Sequence, residues 1–182
     1  MSMTENKLLF KLLPGDIILV RYPFIYLVGW LIQTIGRDTW AHAALYTGSG
    51  NVIEAKGSGV RKTTLAEVLH LNSLFTLKYR IYRLRNNNPE VIQKVINYCE
   101  ERLGWEYDYG SVGFIAVVKI LERFGIVQQT PLINPLNSKE KIFCSELVGE
   151  SFSFAGEALF EADTALTKTS DIAGSKKLFQ LV

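Results

Sequence analysis

Segments with the pattern of β-strands are crowded into the first half of the chain, and this clustering most constrains the fold. Strands joined by short turns pair as antiparallel neighbours, because parallel strands need a long crossover. Helical patterns flank and follow these segments, so the sequence predicts an α+β fold. The expected strands are residues 17–22, 39–47, 52–56, 60–63 and 75–84.

The remaining patterns are helical. Thr64 to Glu67 fits a capping box at the start of a short helix over 65–71, and Pro89 suits the first position of a helix that reaches about Leu103. No internal repeat or low-complexity linker separates these segments, so residues 1–182 are expected to form a single domain. Further helices or short segments are expected at 26–35, at 112–124, after Cys144, and from Thr169 onward.

Composition argues against several classes of function. Hydrophobic residues make up 48% of the chain and charged residues 21%, as in an ordinary globular protein. The net charge of +2, without a cluster of Lys or Arg, does not favour nucleic acid as a partner. Two cysteines and two histidines without a CxxC motif predict neither a disulfide framework nor a metal site, and no cofactor is expected.

Two apolar stretches raise the question of a membrane. Phe24–Ile32 is too short to span a bilayer, and Val112–Val127 is interrupted by three charged residues. The N-terminal apolar segment is broken by Lys11 and does not have the pattern of a signal peptide. We therefore expect no transmembrane segment and a cytoplasmic location, while peripheral membrane contact and the oligomeric state stay open.

Cys144 lies where a loop rich in Pro and Asn meets an apolar helical run. A cysteine in the first turn of a helix is close to unpaired backbone N–H groups and to the positive end of the helix dipole, which favour the thiolate. An ordinary buried cysteine fits the same position, so position alone leaves both interpretations open. Cys99 falls instead on the apolar stripe of the helix that begins at Pro89, and it is expected to be a core side chain.

Two polar residues in the strand region could serve this thiol as base and orienting group. His42 lies between two alanines, and Glu54 interrupts an apolar strand, where an unpaired carboxylate is costly. A hairpin register that pairs Ala44 with Glu54 places His42 one diagonal step from Glu54 on the same face of the sheet. That register follows if Thr47 pairs with Asn51 across the turn, whereas an odd register would place His42 and Glu54 on opposite faces. A satisfied strand histidine and a surface carboxylate are the alternatives.

Five short motifs follow one another along the chain, namely Asp16–Val20, Trp40–Tyr46, Val52–Ala55, Tyr107–Tyr109 and Phe143–Val148. In this order they are similar to those of the permuted papain-like cysteine hydrolases of the NlpC superfamily, in its YiiX-like branch. The resemblance extends over about residues 14–156. The usual papain order is cysteine, histidine and then the polar residue, whereas a circular permutation brings the cysteine last, as here. One departure is Ala41, where relatives often carry a serine.

The resemblance implies a circularly permuted papain-like fold, in which an antiparallel sheet packs against the helix that bears Cys144. It implies that Cys144 is the nucleophile, His42 the base and Glu54 the group that orients the base. It also implies that Trp40 contributes to substrate binding, that Tyr107 lines the substrate pocket or helps to hold an oxyanion, and that the backbone N–H of Cys144 helps to stabilise that oxyanion. A packed aromatic side chain in a connection between helices is the alternative for Tyr107.

Three functions are compatible with this set of residues. The favoured one is a cysteine hydrolase that acts through an acyl-enzyme as an amidase or peptidase on peptide or cell-wall-type amides. A lipid acyltransferase or thioesterase of the lecithin:retinol acyltransferase-like type is the second, with the apolar segments Phe24–Ile32 and Val112–Val127 lining an acyl groove. A catalytically idle binding module is the third. The expected partner is therefore a small-molecule, peptide or acyl-lipid substrate.

Overall fold

The computed structural model of the protein describes residues 9–23, 39–70, 77–123, 140–160 and 167–182. The helix expected at 26–35 and nearly all of the loop expected before Lys141 lie outside these residues. The described elements are β1 (Ile17–Arg21), β2 (His42–Gly48), β3 (Asn51–Lys56), β4 (Gly59–Thr64), α1 (Leu65–Leu69), β5 (Lys78–Leu84), α2 (Pro89–Glu100), β6 (Glu106–Tyr107), α3 (Tyr109–Arg123), β7 (Lys141–Ile142), α4 (Cys144–Phe154), α5 (Thr169–Gly174) and β8 (Leu178–Gln180).

An antiparallel sheet forms the centre of the fold. Among the described residues it has six strands in the order β4-β3-β2-β1-β5-β8. The five strands predicted between Asp16 and Leu84 all belong to it, and the C-terminal strand β8 adds an edge. The sequence patterns did not predict β6 and β7, which form a separate parallel pair. The α+β prediction is confirmed.

The main core lies between one face of this sheet and the helices α2 and α4. Each large apolar side chain removed from water there contributes roughly 1.5–3 kcal/mol to folding. Cys99 of α2 is fully buried in this core, as predicted. The core includes Ile17, Leu19, Leu45 and Ile53 of the sheet, Val95 and Cys99 of α2, and Leu147 and Phe152 of α4.

The short helix α1 covers part of the opposite face of the sheet. It begins after Thr64, whose hydroxyl accepts a hydrogen bond from the Glu67 N–H at 3.2 Å, as the capping pattern predicted. Leu65 and Leu69 bury its apolar side against a second cluster that contains Ala44 and other alternate residues of the strands. The two faces of the sheet are thus both covered, which accounts for the almost continuous apolar character of β1 and β2.

The β2–β3 hairpin has the register that places His42 and Glu54 on one face of the sheet, because Ala44 pairs with Glu54. A bulge after Tyr46 inserts one residue, so that Gly48 and not Thr47 faces Asn51. The pairing of Thr47 with Asn51, from which this register was considered, is therefore not formed. The bulge lies at the turn end of the hairpin, so the pairing beside Glu54 is unaffected.

A tight turn joins β3 to β4. Lys56 pairs with Gly59, and the same register places Arg61 directly opposite Glu54. Gly59 has a φ of +98°, and a Cβ atom there would lie 2.3 Å from the carbonyl oxygen of Trp105. A side chain at this position would both strain the turn and displace the neighbouring backbone.

An ion pair ties the start of β1 to β5. The Asp16 carboxylate is fully buried and accepts from Arg83 through Nε and Nη2, each at 2.7 Å. The Leu13 N–H donates to the same carboxylate at 2.9 Å. Each carboxylate oxygen thus has a donor, which is the condition for burying a charge without a large cost.

Phe152 and Phe154 of α4 allow a matched test of how this helix is held on the sheet. Phe152 is fully buried in the main core, whereas Phe154 is 65% exposed. Phe152→Ala should lower the free energy of unfolding by roughly 3–5 kcal/mol, because it removes a large side chain and leaves a cavity. Phe154→Ala should cost about 1 kcal/mol or less. Urea denaturation followed by circular dichroism measures both, and equal losses would contradict this packing.

Candidate active site

His42 and Glu54 meet on one face of the sheet. His42 is the first residue of β2, and Glu54 lies on the neighbouring strand at the diagonal position. Their side chains are buried, and His42 Nε2 lies 2.6 Å from Glu54 Oε2. The carboxylate therefore fixes the plane of the imidazole, and Nδ1 is the ring nitrogen left for another partner.

Cys144 is the first residue of α4, as its sequence position predicted. Its side chain is 6% exposed and forms a hydrogen bond with His42. The backbone N–H groups of Ala43 and Ser145 also donate toward the sulfur. The Glu146 carboxylate accepts from the N–H of Phe143 at 3.3 Å and so satisfies one of the donors at the start of the helix.

The three groups shift one another's ionisation. Burial by itself would lower the pKa of His42, but its hydrogen bonds to Cys144 and Glu54 and their negative charges raise this pKa to about 9. Burial opposes ionisation of Cys144, yet the hydrogen bond and charge of His42 lower the pKa of the thiol. Burial also opposes ionisation of Glu54, whose pKa the His42 hydrogen bond and charge lower to about 2. The arrangement favours an imidazolium beside a thiolate.

The two residues expected to bind substrate lie close to this set. Tyr107 is half-buried on β6, and its pKa is raised well above the ordinary value by burial and by the charge of Cys144. Trp40 precedes β2 and packs against the main core, and its carbonyl oxygen accepts from Thr169 Oγ1 at 2.6 Å. Their contact with substrate stays a prediction.

The structure adds residues to the site that the sequence reasoning missed. Arg61 donates to Glu54 Oε1 from Nε at 3.0 Å and from Nη2 at 2.8 Å. The Tyr22 ring lies 6.3 Å from the His42 ring, centroid to centroid. The sequence Gly57–Ser58 could have predicted the position of Arg61. If these two residues form a two-residue hairpin loop, Arg61 lies directly opposite Glu54.

Two residues near the C-terminal end of the sequence, Thr167 and Thr169, tie the helix that begins at Cys144 to the strand that begins at His42. Ser145 Oγ donates to the Thr167 carbonyl oxygen at 2.8 Å. Two residues further on, Thr169 Oγ1 donates to the carbonyl oxygen of Trp40. These bonds join the residue after Cys144 to the residue two positions before His42, and so help to hold the thiol and the imidazole in register.

No group of three or more His, Cys, Asp or Glu side chains in the described part of the chain is arranged to hold a metal ion. The carboxylate of Glu54 is already engaged by His42 and Arg61. Nor does any helix within the described ranges have the length and apolar character needed to cross a bilayer.

The fold and the site together define a class of protein. An antiparallel sheet carries a histidine and a glutamate on adjacent strands, and a helix that follows much later in the chain begins with a cysteine beside them. This is a circularly permuted papain-like fold.

The chain belongs to the permuted papain-like amidase enzymes of the YaeF/YiiX, C92 family, whose model matches residues 11–115. That stretch is more than half of the chain and includes His42 and Glu54, although it ends before Cys144. The resemblance stated from the five motifs is confirmed at the level of this family.

Two similar proteins come from Escherichia coli. The "Probable lipoprotein peptidase YaeF" of strain K12 is 24% identical over 183 aligned positions, which cover 87% of this chain and 62% of YaeF. The crystal structure of YiiX from strain O157:H7, described as a metalloprotein, has a TM-score of 0.62 at 16% identity and covers 93% of this chain and 96% of its own. This structural likeness shows the fold alone. The cytoplasmic location expected for this chain stays a prediction.

The two cysteines should differ sharply in reactivity. Because protonated His42 lowers the pKa of Cys144, its thiolate should persist to lower pH than an ordinary thiol, whose pKa is about 8.5. Burial raises the pKa of Cys99 to about 12, so it should stay unreactive. Iodoacetamide labelling across a pH series, read by peptide mass spectrometry, measures both.

His42→Ala should move the midpoint of Cys144 labelling up toward the ordinary thiol value, because the variant lacks the cation that stabilises the thiolate. Cys99→Ala is the matched control and should leave the midpoint where it is. A wild-type midpoint at or above the ordinary value would contradict the ion pair.

Proposed function

We propose that this protein is a cysteine hydrolase of the NlpC type that cleaves peptide or cell-wall-type amides through an acyl-enzyme on Cys144. The observation that carries the proposal is the buried series of contacts from the Cys144 thiol through His42 to Glu54, in which the last contact is 2.6 Å long. A nucleophile, a base and a group that orients the base are the minimum set for covalent acyl transfer.

The proposed reaction begins with the thiolate of Cys144. The sulfur attacks the amide carbonyl carbon, and the carbonyl π electrons move to oxygen to give a tetrahedral oxyanion. Collapse of this intermediate breaks the C–N bond, and the His42 imidazolium gives its proton to the leaving amine. Neutral His42 then takes a proton from water, whose oxygen attacks the thioester. Release of the carboxylic acid restores the thiolate and the imidazolium.

Two groups are suited to stabilise the oxyanion. Cys144 is at the start of α4, so its backbone N–H lies at the positive end of the helix dipole. Burial and the negative charge of Cys144 raise the pKa of the Tyr107 phenol well above its ordinary value, so this hydroxyl stays protonated and can donate. Glu54 remains ionised throughout, which keeps the positive charge on His42 favourable.

A cleft beside Tyr107 provides a place for part of the substrate. Its volume is about 420 Å³, and it lies between the β3–β4 turn and the paired strands β6 and β7. A substrate segment bound here would contact Tyr107. The lining residues are Gly57, Ser58, Glu106, Tyr107, Asp108, Tyr109, Gly110 and Lys141.

An amide substrate has more support than the alternatives. The family description names amidases. The acyl groove of a lipid enzyme was expected from two apolar segments. Phe24–Ile32 lies outside the described residues, and Val112–Val127 overlaps α3. A catalytically idle module has no need to bury an ionised histidine–glutamate pair against a thiol, since such a set is costly unless each charge is paired.

Cys144→Ala should abolish acyl-enzyme formation and lower turnover by roughly a thousandfold or more, because it removes the nucleophile. Cys99→Ala is the control, because this thiol lies in the core and has no part in the reaction. A panel of peptide amides and acyl esters, with intact-protein mass spectrometry to detect the acyl adduct, measures the difference. Full turnover by Cys144→Ala would refute the nucleophile assignment. Release of fatty acid without release of amine would favour the acyl-lipid alternative.

Tyr107→Phe should lower kcat by about tenfold to a hundredfold and leave KM nearly unchanged, since an oxyanion donor acts mainly in the transition state. Tyr98→Phe is a suitable control, because it also removes one tyrosine hydroxyl, which donates to Glu150, and Tyr98 does not line the cleft. Steady-state kinetics on the same amide measure both variants. Equal values for Tyr107→Phe and wild type would assign Tyr107 to packing.

A further inference from the structure

We propose that Arg61 is a positioning residue of this site: it holds Glu54 in the orientation that presents Oε2 to His42, and Glu67 holds Arg61 in turn. The inference rests on the proposed Cys144–His42–Glu54 mechanism. It adds to that mechanism the guanidinium of Arg61, which lies on β4 and donates two hydrogen bonds to Glu54.

The two oxygens of Glu54 have separate partners. Oε2 meets His42, whereas Oε1 accepts from both Nε and Nη2 of Arg61. The Glu54 side chain is 1% exposed, so water cannot readily replace a lost donor. A carboxylate that is buried and ionised must keep its donors, or it will rotate, take up a proton or open the sheet to solvent.

The sheet register brings Arg61 to this position. Glu54 and Arg61 are direct cross-strand partners, and the close turn at Gly59 fixes their pairing. The Arg61 side chain is 36% exposed, so its guanidinium lies between the buried carboxylate and solvent. Its planar fork gives two donors to one oxygen, which the single ammonium of a lysine cannot do in the same geometry.

Glu67 restrains Arg61 from the other side. Arg61 Nη2 donates to Glu67 Oε1 at 2.7 Å, and Thr63 Oγ1 donates to Glu67 Oε2 at 2.6 Å. Glu67 is itself held at the start of α1, where its N–H donates to Thr64. The Glu67 carboxylate is more than half exposed, so this bridge adds little stability, and its effect is to restrict the orientation of the guanidinium.

Two opposite effects on His42 can be told apart. As a nearby cation, Arg61 disfavours the imidazolium, so its loss would raise the pKa of His42. As a positioning residue, Arg61 keeps Glu54 ionised and aimed at Nε2, so its loss would lower that pKa. The charged and titratable groups around the His42–Glu54 pair are Tyr22, Lys56 of β3, Arg61 of β4, Glu67 within α1, His70 just after α1, and Cys144 of α4.

The test is the titration of the His42 ring, followed by NMR on protein labelled at histidine, in wild type and in Arg61→Met and Arg61→Lys. We expect the His42 pKa to fall below about 9 by half a unit or more in Arg61→Met, and by less in Arg61→Lys, which keeps the charge but loses the fork. With an amide substrate, kcat should fall by about tenfold in Arg61→Met with little change in KM.

The control is Arg83→Met, which breaks a comparable buried ion pair with Asp16, one with no contact to Glu54. It should lower stability and leave the His42 titration unchanged.

A second variant, Glu67→Gln, keeps the size of the side chain and weakens the restraint on Arg61. It should therefore shift the His42 pKa in the same direction as Arg61→Met, but by less.

A rise or no change of the His42 pKa in folded Arg61→Met would overturn the positioning role. So would a loss of kcat that merely follows the loss of folded protein, measured by circular dichroism. The titration needs no turnover. If no amide or ester acylates Cys144, the proposed function fails while the His42 titration still decides the role of Arg61.

Discussion

The buried carboxylate of Glu54 is the group on which the rest of the site depends. It has almost no access to water, so the protein must supply its hydrogen-bond donors. These come from the strands on either side, as His42 from β2 and Arg61 from β4. The site is therefore a consequence of sheet register, since a slip of one residue in either hairpin would turn one partner to the opposite face.

The thiol comes to this pair from a distant part of the chain. Helix α4 packs through Leu147 and Phe152 on the face of the sheet where Leu45 and Ile53 lie, and its first residue is Cys144. The hydrogen bond of Ser145 to the Thr167 carbonyl oxygen holds the start of this helix. The histidine and the glutamate precede the cysteine in sequence, yet packing brings the three together, because contacts in the folded chain do not depend on sequence order.

Local patterns predicted much of this arrangement. The hairpin strands, the cap at Thr64 and the helix start at Cys144 all follow from side-chain periodicity and turn chemistry. The pairing of Ala44 with Glu54 was one of the possible registers, and only the structure decided it. The bulge after Tyr46, the β6–β7 pair and the bridge from Arg61 to Glu67 were not predicted. A bulge depends on small differences in local packing, and the other two features depend on contacts between segments whose alignment no periodic pattern reports.

The two cysteines show which properties the sequence determines and which depend on the tertiary structure. The sequence by itself determined that both lie in helices, one on an apolar stripe and one at a helix start, because helix periodicity and capping are short-range properties. It left the ionisation of Cys144 undecided. Only the tertiary structure decided that burial raises the pKa of Cys99, while His42 lowers that of Cys144. A pKa depends on burial and on nearby charges, and both are set by residues far away in the chain.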